Sequence, residues 1–179
     1  MNESAKSTHW ANGVHALFKI QRVDIVPFVP DSGLIQLIDL CQADPEIRTI
    51  TLTTEEEGIA LAAGAYLGGK RSVMLMQSSG VGNCINMLSL PNICNMPLFM
   101  LVTMRGEWGE FNPWQLPMGQ STSTILEASE VIVQRVNSVN DVCSTVEAAM
   151  KLAFDSHCRA AVLLSQKMIG IKLFSGGAK

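Results

Sequence analysis

Thr53-Thr54-Glu55-Glu56-Glu57-Gly58-Ile59-Ala60-Leu61-Ala62-Ala63-Gly64 sets three carboxylates at the mouth of a segment made almost wholly of alanine, glycine and small aliphatics. The apolar run 49–52 before it reads as a β-strand, so the acids arrive at a strand-to-helix junction. Thr54-x-x-Glu57 has the form of a capping box, in which Thr54 caps the helix and Glu57 reaches back. Acids in a first turn also offset the helix dipole, each by roughly 0.3–1 kcal/mol. Capping accounts for Glu57 and could account for all three. It leaves unexplained why residues 58–65 are stripped of bulk. Small side chains let another backbone, another helix or a flat ring come close, so the stretch predicts a thin-walled helix pressed against either a cofactor or the rest of the core.

Outward from this stretch, strand-like and helix-like segments alternate. Residues 10–21 have helical spacing in Val14, Leu17 and Phe18. Residues 23–29 are a β-branched run stopped by Pro30-Asp31-Ser32, where Asp31 or Ser32 can cap a helix through Leu34, Leu37, Ile38 and Cys41. Residues 48–52 read as a second strand, 55–67 as the small-residue helix, and 72–76 as a third strand, continuous in its hydrophobicity as buried parallel strands are. Residues 79–83 predict a turn into a helix over about 84–93. Further strands are expected at 97–103, 131–135 and 160–164, with a helix over about 139–155 and an irregular segment over 105–119. Six strands alternating with helices predict an α/β fold: an open parallel six-stranded sheet with helices on both faces. The chain, 1–179, is expected to form one domain with its core over about 10–173 and a loose tail at 175–179.

The 179 residues are 47% apolar and 16% charged, with a mean hydropathy of +0.24, which is oily for a chain of this size. No apolar run reaches the ~18–20 residues of a membrane span. Residues 1–9 lack the basic-then-apolar layout of a signal peptide. The surplus hydrophobicity therefore predicts a protein–protein interface, not a membrane. A net charge of −3 without a dense basic patch argues against nucleic acid. Five scattered cysteines without a Cys-x-x-Cys predict reduced thiols and a cytoplasmic location. His9, His15 and His157 share no ligand spacing, so no metal site made by this chain alone is expected.

In sheets of this kind ligands sit beyond the carboxyl ends of the strands. Four notable segments fall there: Pro30-Asp31-Ser32-Gly33, then 53–57, 77–83 and 104–120. Gly80-Val81-Gly82-Asn83 lacks the third glycine of a dinucleotide fingerprint and reads as a plain strand-to-helix turn, although Ser78, Ser79 and Asn83 suit a polar or anionic ligand. The loop 105–115 holds Trp108, Phe111 and Trp114, and is either a functional loop or a plug against a partner chain. Arg105 is the candidate to meet an anionic substrate, a salt bridge to Glu107 or Glu110 being the ordinary alternative.

Taken together, Glu55-Glu56-Glu57-Gly58-Ile59-Ala60-Leu61-Ala62-Ala63-Gly64-Ala65-Tyr66-Leu67-Gly68-Gly69-Lys70, Met76-Gln77-Ser78-Ser79-Gly80-Val81-Gly82-Asn83, Arg105-Gly106-Glu107-Trp108-Gly109-Glu110 and Met118-Gly119-Gln120-Ser121-Thr122 resemble the pyrimidine-binding domain of thiamine diphosphate-dependent decarboxylases. The likeness is greatest to the α subunit of sulfopyruvate decarboxylases, with phosphonopyruvate decarboxylases as near kin, and runs over about 23–164.

The resemblance implies that an acid opening the small-residue helix hydrogen-bonds the aminopyrimidine ring of thiamine diphosphate and favours its imino form. Similar enzymes place a glycine nine residues after that acid. Counting back from Gly64 selects Glu55, with Glu56 in reserve. By the same resemblance Gly80, Gly82 and Asn83 lie near the cofactor and Gln120 near the pyrimidine or the reacting centre, while Arg105 is assigned from its charge to the substrate. The implied reaction is decarboxylation of a small anionic 2-oxo acid, sulfopyruvate to sulfoacetaldehyde, with phosphonopyruvate or another anionic 2-oxo acid as alternatives. Enzymes of this class also carry a diphosphate-binding domain marked by Gly-Asp-Gly, which holds Mg2+. That tripeptide is absent from these 179 residues. The expectation is therefore half an active site, completed in a hetero-oligomer by a beta subunit that supplies the diphosphate and Mg2+ anchor. A non-catalytic α/β module binding a small anion or a regulatory partner is the reading from another class.

Overall fold

The computed structural model describes residues 10–170, so the polar run 1–9 and the tail 175–179, expected to be loose, lie outside the described residues. Helix α1 (Trp10–Ile20) leads into strand β1 (Val23–Phe28), α2 (Ile35–Ala43), β2 (Arg48–Thr51) and α3 (Glu55–Leu67). Two short strands, β3 (Arg71–Ser72) and β4 (Met74–Gln77), precede α4 (Ser78–Cys84) and α5 (Ser89–Ile93). Strand β5 (Leu98–Thr103) is followed by α6 (Leu116–Ala128), β6 (Ile132–Val136), α7 (Val142–Phe154), β7 (Arg159–Leu164) and α8 (Gln166–Ile169).

All strand pairs are parallel, in the order β2-β1-β4-β5-β7-β6 with β3 against β1. Parallel strands require crossovers, and each crossover here contains at least one helix, as the connection demands. Strands β4, β5 and β7 are buried on both faces, so their alternate side chains feed two separate cores. Phe99, Leu101, Val162 and Leu164 pack with Val14 and Phe18 of α1, Leu37 and Ile38 of α2 and Val146 and Met150 of α7. Met74, Met76, Met100, Val102 and Leu163 pack with Ile59 of α3, Val81 of α4 and Leu126 of α6. The sheet is thus sandwiched between α1, α2 and α7 on one side and α3 to α6 on the other. No helix among the described residues is long and apolar enough to cross a membrane.

The expected open parallel α/β sheet is what folds, with seven strands instead of six. The extra one arises because the run expected at 72–76 is interrupted at Val73, just after a register shift in the pairing with β1, where Arg71 and Ser72 face Val23 and Ile25. Two helices also differ from expectation. Residues 79–83 do not turn: helix starts at Ser78, directly after β4, and the chain breaks over 85–88 before α5. Within the segment expected to be irregular, a helix begins at Leu116, with Pro117 in its first turn, where the missing N–H costs nothing. Irregular chain is confined to 104–112, ahead of a 3-10 turn at Pro113–Gln115.

Candidate active site

Strand β1 has β2 on one side and β4 on the other, so the crossovers leave it in opposite directions. The crevice at such a switch point is where open α/β sheets take ligands. Helix α3 enters this edge from β2 and α4 enters it from β4. Gly58 sets how closely α3 lies on the sheet, since a β-carbon there would be 2.7 Å from Cε of Met74 and 2.9 Å from Cδ1 of Leu52. Of the three acids, only Glu55 is buried, at 8% exposure; Glu56 and Glu57 face outward. Glu57 accepts the Thr53 backbone N–H at 2.8 Å and the Thr54 side chain makes no cap bond, so the expected capping box does not form: Glu57 reaches back one residue past the N-cap Thr54.

Glu55 meets α4. Its Oε2 accepts 2.7 Å from Nδ2 of Asn83, and no other hydrogen bond engages the carboxylate among the described residues. Gly80 faces the same carboxylate so closely that any β-carbon at that position would collide with it. The buried Cys84 thiol next along α4 is pushed up to about 12, first by burial and then by the charges of Glu55 and Glu56. Glu55 is thus a buried carboxylate bonded through one oxygen, with its other oxygen against the Gly80 backbone.

A second cluster stands at the ends of β1, β4 and β5. Asp31 Oδ1 accepts from Nε2 of Gln77 at 2.9 Å, and its Oδ2 accepts from the Thr103 hydroxyl at 2.7 Å and the Gly33 N–H at 3.1 Å. Asp31 therefore ties three strand ends together and does not cap α2, whose N-cap is Leu34. Gln77 in turn accepts from the Ser79 hydroxyl of α4 at 2.9 Å. A cavity of about 260 Å3 opens here, lined by Asp31, Ser32, Gly33, Thr103 and Arg105.

Arg105 is buried, and its Nε and Nη2 both donate at 2.5 Å to Glu110, leaving Nη1 without a partner among the described residues. Glu110 also accepts from the N–H groups of Gly106 and Asn112 and from Nε2 of Gln166. Its carboxyl is held down at about 2, by Arg105 first and against the cost of burial, with the other donors adding to the effect. Gln166 Oε1 accepts from the N–H groups of Glu107 and Trp108, and Glu107 pairs with Arg135. These side-chain bonds fix the loop, and Trp108, Phe111 and Trp114 stay exposed on it. The approach of α6 is equally tight: a β-carbon at Gly119 would lie 2.7 Å from Cα of Gly106, which itself needs a φ of +76°.

The structure thus brings Glu55, Gly80 and Asn83 together. Gly82 faces Met118 of α6 at 3.2 Å from a β-carbon, and Gln120 lies exposed on α6 without a hydrogen bond to Glu55 or Asn83. Arg105 sits in the other cluster, in the alternative ion pair with Glu110. Asp31 and Gln77 fall in segments expected at the ligand edge, but their pairing with each other and with Thr103 carries no local sequence signal, because those bonds span 46 and 72 residues.

A search against models of protein families finds no match. Among curated proteins the chain is 35% identical over 155 residues to the sulfopyruvate decarboxylase subunit alpha of Methanothermobacter thermautotrophicus, covering 86% of this chain and 94% of that one. It is 30% identical over 151 residues to the subunit alpha of Methanocaldococcus jannaschii, covering 84% and 89%. Phosphonopyruvate decarboxylase of Streptomyces viridochromogenes is 34% identical over 156 residues, 86% of this chain but 37% of that longer one. Among solved structures, a 2-oxoglutarate:ferredoxin oxidoreductase from Magnetococcus marinus superposes on 96% of this chain with a TM-score of 0.74 and 17% identity. This chain spans 34% of that one, and the likeness is one of fold. The identity and near end-to-end coverage of the alpha subunits lead to one conclusion: the chain belongs to the family of sulfopyruvate decarboxylase alpha subunits.

Proposed function

We propose that this chain is the alpha subunit of a cytoplasmic, thiamine diphosphate-dependent decarboxylase that converts sulfopyruvate to sulfoacetaldehyde and carbon dioxide. The observation that carries the reading is the Glu55 carboxylate, buried where α3 begins, held by Asn83 through Oε2, with Oε1 lying against Gly80 and without a hydrogen bond among the described residues. Those features fit an aminopyrimidine ring, which needs one carboxyl oxygen at a ring nitrogen and a lean helix beside it; Gly80 supplies the leanness, since any β-carbon there would collide with the carboxylate. Membership of the alpha-subunit family supports the substrate class.

Thiamine diphosphate, when bound, supplies the electron sink into which a 2-oxo acid can lose carbon dioxide. Glu55 would share a proton with the ring nitrogen through Oε1 and so bias the ring toward its imino tautomer. Asn83 fixes the carboxylate for that exchange, Gly80 lets α4 lie against it, Gly82 is assigned to the cofactor's side of α4 beside Met118, and Gln120 offers an amide from α6. Arg105 is assigned to the substrate's sulfonate through its unbonded Nη1. Because Glu110 already balances its charge, the partner must add cationic groups of its own. The relatives matched nearly end to end are named subunit alpha, which supports a partner, and we assign Mg2+ and the diphosphate to that beta subunit in a hetero-oligomer, with this chain as the pyrimidine-binding domain.

The test co-expresses this chain with a beta subunit containing Gly-Asp-Gly and measures carbon dioxide release from sulfopyruvate and phosphonopyruvate. Turnover should need both chains and favour sulfopyruvate. Glu55→Gln should lower kcat by about 10²-fold or more, the scale of a lost proton-transfer group, and Glu56→Gln should stay near wild type. Normal turnover in both variants would sink the mechanism, whereas preference for phosphonopyruvate would leave the chemistry and change the substrate.

A further inference from the structure

A run of hydrogen bonds leads from the Asp31 cluster to Ser79 in the first turn of α4, the helix whose Asn83 holds Glu55. The Thr103 hydroxyl at the end of β5 and the Gln77 amide at the end of β4 both donate to Asp31, and the Ser79 hydroxyl donates to the far side of the same amide. Ser79 is in the first turn of α4, one residue before Gly80 and four before Asn83, the two residues of that helix that face Glu55. The amide of Gln77 is thereby locked: Nε2 is committed to Asp31 and Oε1 to Ser79. Helix α4 has only seven residues, and its N-cap position makes no side-chain cap bond. So short a helix gains little stability from its own backbone, and its seating depends on contacts of this kind. Gln77 is oriented from the strand side by its acceptor Asp31, itself fixed by Thr103 and the Gly33 N–H, while the neighbouring Ser78 hydroxyl separately accepts the Arg105 N–H at 3.0 Å.

We propose that Asp31 is a positioning residue, which seats the first turn of α4 through Gln77 and Ser79 and so sets the alignment of Asn83 with the Glu55 carboxylate. This rests on the reading of Glu55 as the acid that meets the cofactor's ring. It assigns a role to the Pro30-Asp31-Ser32 segment that neither a cap nor a direct substrate contact provides.

The assembled, cofactor-loaded complex allows the test without substrate. Exchange of the cofactor's thiazolium proton with deuterated water, followed by quenched-flow NMR, reports how well the acid engages the ring. Amide hydrogen exchange of residues 78–84, measured on the cofactor-free complex, reports the seating of α4. In Asp31→Ala the proton exchange should slow at least tenfold and the α4 amides should lose protection, with a lowered melting temperature from the unpaired Gln77 and Thr103 donors, a loss that Ser79→Ala avoids. Ser79→Ala cuts the same connection from the other end and should reproduce both effects, the double variant being no worse than Asp31→Ala alone. If Asp31→Ala does not assemble, Ser79→Ala decides. Wild-type proton exchange in the variant, or unaltered α4 protection, overturns the proposal; a raised KM with normal exchange would make Asp31 a substrate contact instead. Glu55→Gln is the control that separates the two readings. If it abolishes exchange while Asp31→Ala does not, only this proposal falls; if it leaves exchange intact, the role given to Glu55 falls and this proposal with it.

Discussion

Gly80 lies so close to Glu55 that a β-carbon on residue 80 would sit 2.5 Å from Cγ of that glutamate and nearer still to its carboxyl group. The atoms in the way belong to the end of a flexible side chain, not to backbone, so in Gly80→Ala the carboxylate moves and the fold survives. Alanine is also the better helix former by roughly 1 kcal/mol. The expected outcome separates stability from function. Gly80→Ala should unfold at the same or a slightly higher denaturant concentration, while kcat of the assembled complex falls about 10²-fold, the cost of displacing a catalytic group by about 1 Å. A variant of normal activity would mean that the Glu55 position matters little.

Gly58 predicts the opposite balance. A β-carbon there meets Met74 at 2.7–2.8 Å and Leu52 at 2.9 Å, side chains that are themselves buried in the core between α3 and the sheet. Overpacking costs about 1–3 kcal/mol, which exceeds the gain of roughly 1 kcal/mol in helix propensity. Gly58→Ala should therefore lower the urea midpoint, with a net loss on the order of 1 kcal/mol. An unchanged midpoint would show that α3 can lift from β4 at no cost.

The five cysteines divide by access. Cys41 and Cys84 are buried and both thiols are pushed up to about 12, chiefly by burial, so the reactive thiolate is scarce at neutral pH. Cys94, just after α5, is exposed. Brief alkylation of the native chain at pH 7.5, read by peptide mass spectrometry, should mark Cys94 before Cys41 or Cys84. The two buried thiols should react only once the chain is unfolded.

What could be read from the residues depended on the range of the interaction. Glu55 was separable from Glu57 because capping is local and leaves an acid at the helix mouth without a task; Glu57 does turn back to the local backbone, although to Thr53 and not to the N-cap Thr54. The pairing of Arg105 with Glu110, five residues on, was likewise legible as an alternative. Asp31 was not, because local chemistry offered a cap, whereas its partners Gln77 and Thr103 come from other strands. The Gly80-Val81-Gly82-Asn83 segment read as a turn on propensity. Its glycines are helical because α4 must pass close to Glu55 and to Met118, and tertiary packing outweighs a preference of about 1 kcal/mol per glycine. Helix α6 was hidden by Pro113 and Pro117, which look like breakers but stand at its entrance.

Glu110 links the loop 105–115 to pH. Its side chain is 1% exposed, it is bonded to Arg105, Gln166 and two backbone N–H groups, and its carboxyl lies at about 2 in the fold against an ordinary 4.5. A depressed folded-state value stabilises the protein above the unfolded value, and that contribution is lost as pH falls from about 4.5 through about 2. A difference of this size corresponds to on the order of 3 kcal/mol. Glu110→Gln strands the buried guanidinium of Arg105, so at pH 7 the variant should be less stable by roughly 3–5 kcal/mol. The gap between the two proteins should then narrow as pH drops below 4.5, because the wild type loses what the variant already lacks. Denaturation curves at pH 7, 5, 4 and 3 provide the check, with Trp108 fluorescence following the loop. A gap that stays constant from pH 7 to pH 3 would mean that the carboxylate of Glu110 is not what holds this loop closed.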